Sequence, residues 1–171
     1  MTQAMSFRAA VPAWLLPAAA ALAAAALALP GAARADESRS AAVPLLPAYK
    51  QECSACHVAY PPGLLPAASW QRLMTNLPCH FGTDASVDAA TLKELSGWLS
   101  ANAGTAKRVR RDPTPPPDDR ITRSAWFQRE HREVSAATWK LAAVKSPSNC
   151  AACHTRADQG SFNEHDIRIP R

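Results

Sequence analysis

The sequence predicts a mostly α fold divided between two small helical domains. Apolar residues recur at three- and four-residue spacing in several segments. No stretch alternates apolar and polar residues as a half-buried strand would. A basic, proline-rich run, Lys107 to Pro117, breaks the composition two-thirds of the way along the 171 residues.

The first segment reads as an export signal. Arg8 is the only charge ahead of an uncharged Ala/Leu-rich run from Val11 to Pro30, and Ala33-Arg34-Ala35 is a small-x-small cleavage site. Residues 1–35 are therefore assigned as signal peptide, with Asp36 as the mature start. The rival reading is an uncleaved membrane anchor, since the run is long enough to span a bilayer. Pro17, the alanine content and the Ala-x-Ala signature favour cleavage.

An extended lead-in from Ser40 to Pro47 precedes Leu46, Tyr49, Cys53 and Cys56, whose helical spacing predicts a short first helix running into the residues that follow. Tyr60-Pro61-Pro62-Gly63 ends it, because proline lacks an N–H donor. Ala67, Trp70, Leu73, Met74 and Leu77 form the apolar stripe of a second helix, which Pro78 stops. Cys79-His80-Phe81-Gly82 is a turn. A third helix spans Asp88 to Ala103, with Leu92, Leu95, Trp98 and Leu99 inward and Gly104 as its stop.

Lys107-Arg108-Val109-Arg110-Arg111 reads either as a solvated linker or as a site for anionic groups. Pro113 and Pro115 to Pro117 then make a stiff connector. Ser124 caps a fourth helix holding Trp126, Phe127, His131 and Val134. Trp139, Leu141 and Val144 are apolar without a decisive period. Ser146-Pro147 is an N-cap followed by a first-turn proline, predicting a further helix. The tail from Gly160 lacks periodicity. The domains are thus residues 36–104, a connector at 105–123, and 124–171, the last irregular with few helices. Each is near the limit for a self-supporting core and needs a staple.

The staple is written in the cysteines. Cys53-Ser54-Ala55-Cys56-His57 and Cys150-Ala151-Ala152-Cys153-His154 are two copies of the c-type haem attachment motif. In each, Cys53 and Cys56 or Cys150 and Cys153 can form thioethers with one haem c, and His57 or His154 can ligate its iron. The alternative is zinc held by the two Cys-x-x-Cys pairs, but 93 residues separate them and each is followed at once by histidine. Covalent haem attachment of this kind takes place outside the bacterial cytoplasm, which agrees with export to the periplasm.

The remaining histidines are His80, His131 and His165. A protein ligand on the second face of an iron leaves electron transfer, and an open face permits oxygen or peroxide chemistry. His80, 23 residues after His57, is the first choice for haem 1, with Met74 as rival. His131, 23 residues before His154, is the first choice for haem 2, with His165 as second. Cys79 is expected to be a buried small hydrophobe, with a reactive thiol or a ligand as alternatives. Arg129, Arg132 and Arg168 are candidate propionate partners.

Residues 36–103 carry net charge −2 and residues 104–171 net +5. Haem propionates would offset this, and no nucleic-acid motif accompanies the basic residues, so nucleic acid is not an expected partner.

The chain resembles the dihaem cytochrome c family of bacterial periplasmic electron carriers. The resemblance rests on both tethers, on Val58 to Pro66, on Trp70 and on His80-Phe81-Gly82 with Ala85-Ser86. In the second half it rests on Trp126, His131, Trp139, Ser146-Pro147, Gly160-Ser161-Phe162 and Ile167 to Pro170. It implies a first domain like a reduced class I cytochrome c, and bis-histidine ligation pairing His57 with His80 and His154 with His131. It also implies a redox partner, either a small monohaem c-type cytochrome that binds oxygen or a membrane cytochrome. Membrane contact would then come through such a partner or an uncleaved signal. Cys79 lies outside the family pattern. The expected function is low-potential electron transfer rather than enzymatic turnover. The alternatives are a dihaem peroxidase or oxygen-reducing haem enzyme, and a redox sensor using Cys79.

Overall fold

Short helices joined by turns carry the chain in the computed structural model, which describes residues 43–171. The expected export segment, its expected cleavage site and the first residues of the lead-in lie outside the described residues. The helices are α1 (Pro47–Cys53), α2 (Ala67–Thr75), α3 (Ala89–Asn102), α4 (Lys107–Arg111), α5 (Ala125–Glu130) and α6 (Ala136–Trp139), with single turns of 3-10 helix between them. No strand occurs among the described residues, and no helix there is long and apolar enough to cross a membrane.

Helix α1 begins at Pro47, whose missing N–H costs nothing in the first turn. It stops at Cys53, earlier than the spacing of Cys53 and Cys56 predicts. A continued helix would keep Cys56 on the face of the buried Tyr49, whereas the turn at residues 54–57 carries Cys56 and His57 outward. Helix α2 buries Trp70 and Met74 and also ends early, at Thr75. Leu77 precedes Pro78, which disfavours helical backbone at Leu77, so residues Leu77–Cys79 form a separate 3-10 turn. Helix α3 follows its expected bounds. The Asp88 carboxylate accepts from the N–H groups of Ala90 and Thr91, and Gly104 takes a left-handed φ of 64° beyond the end. Tyr49, Ala59, Leu65, Trp70, Met74, Leu95 and Leu99 make the larger core.

The charge run is helical, with its basic side chains mostly in solvent. Residues Lys107–Arg111 form α4, which buries Val109 while Lys107, Arg110 and Arg111 stay exposed. Val109 joins Trp126 and Phe127 in a second, smaller core that Leu64 and Trp139 flank. The Ser124 hydroxyl caps α5 by accepting from Phe127 N–H, as its position predicts. That helix ends at Glu130, so His131 and Val134 lie beyond it rather than on its face.

The helix expected from Ser146-Pro147 does not form. The Ser146 hydroxyl accepts from the Ser148 N–H two residues on, a local bond that competes with helix propagation. Cys150–Ala152 is a single 3-10 turn. The tail is pinned to this tether: Arg168 N–H donates to the Cys153 carbonyl at 2.8 Å, and Thr155 N–H to the Asp166 carbonyl at 3.2 Å.

Leu99, on α3, is fully buried in the larger core. Leu99→Ala is expected to lower unfolding free energy by about 2–5 kcal/mol, read from denaturant midpoints of the haem-loaded protein.

Candidate haem sites

The segment after the first tether is held from below by two buried aromatic side chains. Tyr49 donates its hydroxyl to the Tyr60 carbonyl at 2.8 Å, and Trp70 donates its indole N–H to the Pro62 carbonyl at 2.7 Å. Two prolines leave this turn short of donors, so its carbonyls find their partners in the core. Gly63 then passes so close to the chain after α3 that a Cβ would stand 2.5 Å from the Thr105 hydroxyl. His57 is placed by this turn. Its Nδ1 lies 2.8 Å from the Val58 carbonyl, and its ring stacks on Tyr60 with centroids 4.7 Å apart.

His80 faces His57. Their ring centroids are 6.3 Å apart and their planes 28° from parallel. The turn expected at residues 79–82 supplies this placement. Phe81 has φ 51° and Gly82 φ 97°, and Thr83 N–H donates back to the His80 carbonyl at 3.1 Å. Such backbone is strained for phenylalanine and free for glycine.

The second tether has a matching arrangement. His131 and His154 have centroids 6.1 Å apart with planes at 67°. His131 is oriented by the end of α5: its Nδ1 lies 2.9 Å from the Phe127 carbonyl and its ring stacks on Phe127 at 3.9 Å.

These separations fit a metal between the rings. With a metal–imidazole bond of about 2 Å and a ring nitrogen about 1 Å from its centroid, opposed imidazoles hold their centroids about 6 Å apart. His57 and His131 place Nδ1 against carbonyls, which fixes the ring and leaves Nε2 for a metal. His80 and His154 each keep a buried Nδ1 with no partner. Among the described residues no three His, Cys, Asp or Glu side chains converge to hold a bare metal ion. The zinc arrangement from two Cys-x-x-Cys pairs is therefore not assembled.

The rivals are placed elsewhere. Met74 is buried in the larger core, and His165 is exposed in a 3-10 turn, Glu164–Asp166. Cys79 is exposed, not the buried small hydrophobe expected. It sits at the end of its 3-10 turn, outside the apolar stripe of α2.

Arg129 and Arg132 lie beside Glu130 and Glu133 at 3.5 and 3.9 Å, well exposed. The cations nearest the histidines are others. Arg120 stands 4.1 Å over the Phe81 ring, and Arg108 stands 5.0 Å over Trp126. Neither has a carboxylate partner among the described residues. Arg120 lies 40 residues after His80 and Arg108 lies 46 residues before His154, separations that carry no periodic signal; only Arg108 belongs to the basic run that the sequence offered to anionic groups.

Burial holds His80 below the usual histidine value, helped by the nearby His57 and Arg120 charges, and burial, His131 and Arg108 do the same for His154. Burial would push the Cys53 and Cys150 thiols up to about 11 before attachment, so neither would stand ready as a thiolate at neutral pH.

The family model for dihaem cytochrome c matches residues 49–162. The chain belongs to the dihaem cytochrome c family. It carries two covalently attached haem c groups. A solved diheme cytochrome c from Rhodobacter sphaeroides is 46% identical, with a TM-score of 0.64, covering 71% of this chain and 100% of that one. The diheme cytochrome of Shewanella baltica OS155 is 34% identical, with a TM-score of 0.63, covering 75% of this chain and 95% of that one. A search of curated proteins finds no match.

Proposed function

We propose that this dihaem cytochrome is a periplasmic electron carrier with two bis-histidine, low-potential haems. His57 and His80 ligate the first iron, and His154 and His131 the second. The supporting observation is the pair of centroid separations, 6.3 and 6.1 Å, one at each tether. A haem c takes up and gives up one electron at its iron. The chain's part would be to hold each iron by two histidines, so that its ligands stay the same on reduction, and to set the potential. Two neutral imidazoles favour ferric iron more than a His/Met pair does, which lowers the potential. Arg120 and Arg108 work against this by placing one cation beside each site, suited to propionates. Partners are redox proteins, and by family likeness a monohaem oxygen-binding c-type cytochrome or a membrane cytochrome. One haem belongs to each half of the chain, at residues 36–104 and 124–171.

Low-temperature EPR of the oxidised protein tests the ligation. Near-parallel rings at His57/His80 and crossed rings at His131/His154 are expected to give two different low-spin signals. His80→Met and His131→Met should each abolish one of them and raise one potential. Rapid carbon monoxide binding by the reduced wild-type protein would refute closed irons and favour the peroxidase or oxygen-reducing alternative.

Removing one cation should act locally. Arg120→Gln is expected to lower the potential of the His80 site and Arg108→Gln that of the His154 site, each read by spectroelectrochemistry. Equal shifts at both sites would contradict the assignment.

A further inference from the structure

Tyr60 joins the first tether to the segment that leads into the second. Its ring stacks on His57, 19° from parallel, and its hydroxyl donates to the Ser148 carbonyl at 2.8 Å, two residues before Cys150. Its own carbonyl is held by the buried Tyr49 hydroxyl. The residue is thus fixed at its backbone, its ring face and its hydroxyl. It bridges 88 residues of sequence to join the first axial histidine to the second attachment segment.

We propose that Tyr60 is a positioning residue that sets electron exchange between the two haems. This rests on the electron-carrier reading above. The stack fixes the rotation of the His57 ring, and the hydroxyl bond fixes the Cys150 segment relative to it. Outer partners of this kind orient a metal ligand and tune the metal it binds. In the exchange, one electron leaves the ferrous iron and reduces the ferric one. Tyr60 is neither oxidised nor deprotonated.

A loop-closing bond with no further role would affect stability alone, so the experiment reads rate and spectrum. Tyr60→Phe keeps the stack and loses the bond to Ser148. Tyr60→Leu loses both. After one-electron photoreduction of the fully oxidised holoprotein, electron equilibration between the haems is expected to slow several-fold in Tyr60→Phe, with both EPR signals unchanged. Tyr60→Leu should slow it further and change only the EPR signal of the His57 site. Equilibration at the wild-type rate in Tyr60→Phe, with or without a loss of stability, overturns the proposal. If Tyr60→Leu does not retain two haems, Tyr60→Phe decides alone. A wild-type protein lacking two low-spin haems would instead remove the electron-carrier reading.

Discussion

Two hydrogen bonds from buried aromatic side chains, Tyr49 to the Tyr60 carbonyl and Trp70 to the Pro62 carbonyl, hold the arrangement together. They convert a donor-poor proline turn into a fixed support. Every later contact of that turn depends on this. His57 rests on Tyr60, Gly63 closes on Thr105, and Gly104 N–H reaches the Leu65 carbonyl at 2.8 Å. Losing either bond would strand a carbonyl away from water, at a cost of about 1–3 kcal/mol. The loss would be felt at the tether before it was felt in the core.

The two halves are supported unequally. The first rests on α1, α2 and α3 around a seven-residue core of buried side chains. The second has only α5 and α6, of six and four residues, around Val109, Trp126 and Phe127. Helices that short do not persist alone. Val109 comes from α4, the basic segment between the halves, so that segment completes the second core as well as connecting it. A covalently held haem would supply interior where side chains are few.

Much of this was legible in the sequence, for identifiable reasons. The Asp88 and Ser124 caps, the Gly104 stop and the turn at residues 79–82 are local signals with local causes. The rings of His80 and His131, picked out in the sequence by the turn and the apolar neighbours they sit among, lie with centroids 6.3 and 6.1 Å from those of His57 and His154. Other features rest on tertiary contact. The charge run of α4 became helical because Val109 found Trp126 and Phe127, and no period within five residues announces that. The Ser146-Pro147 start was chemically sound, yet the serine hydroxyl was taken by Ser148. Cys79 looked like a small core residue, but Pro78 lifts it out of the stripe that buries Met74. Arg108 and Arg120 meet their aromatic partners only once the chain has folded back.

The stitching of Arg168 and Asp166 to the second tether has a consequence for biogenesis. Synthesis from the N-terminus makes residues 49–109, which hold the larger core and the His57–His80 pair, before the rest of the chain exists. The surroundings of Cys153 close only once residue 168 has been added. Folding therefore acquires a direction, with the upstream histidine pair in place first and the downstream one waiting on the trailing strand.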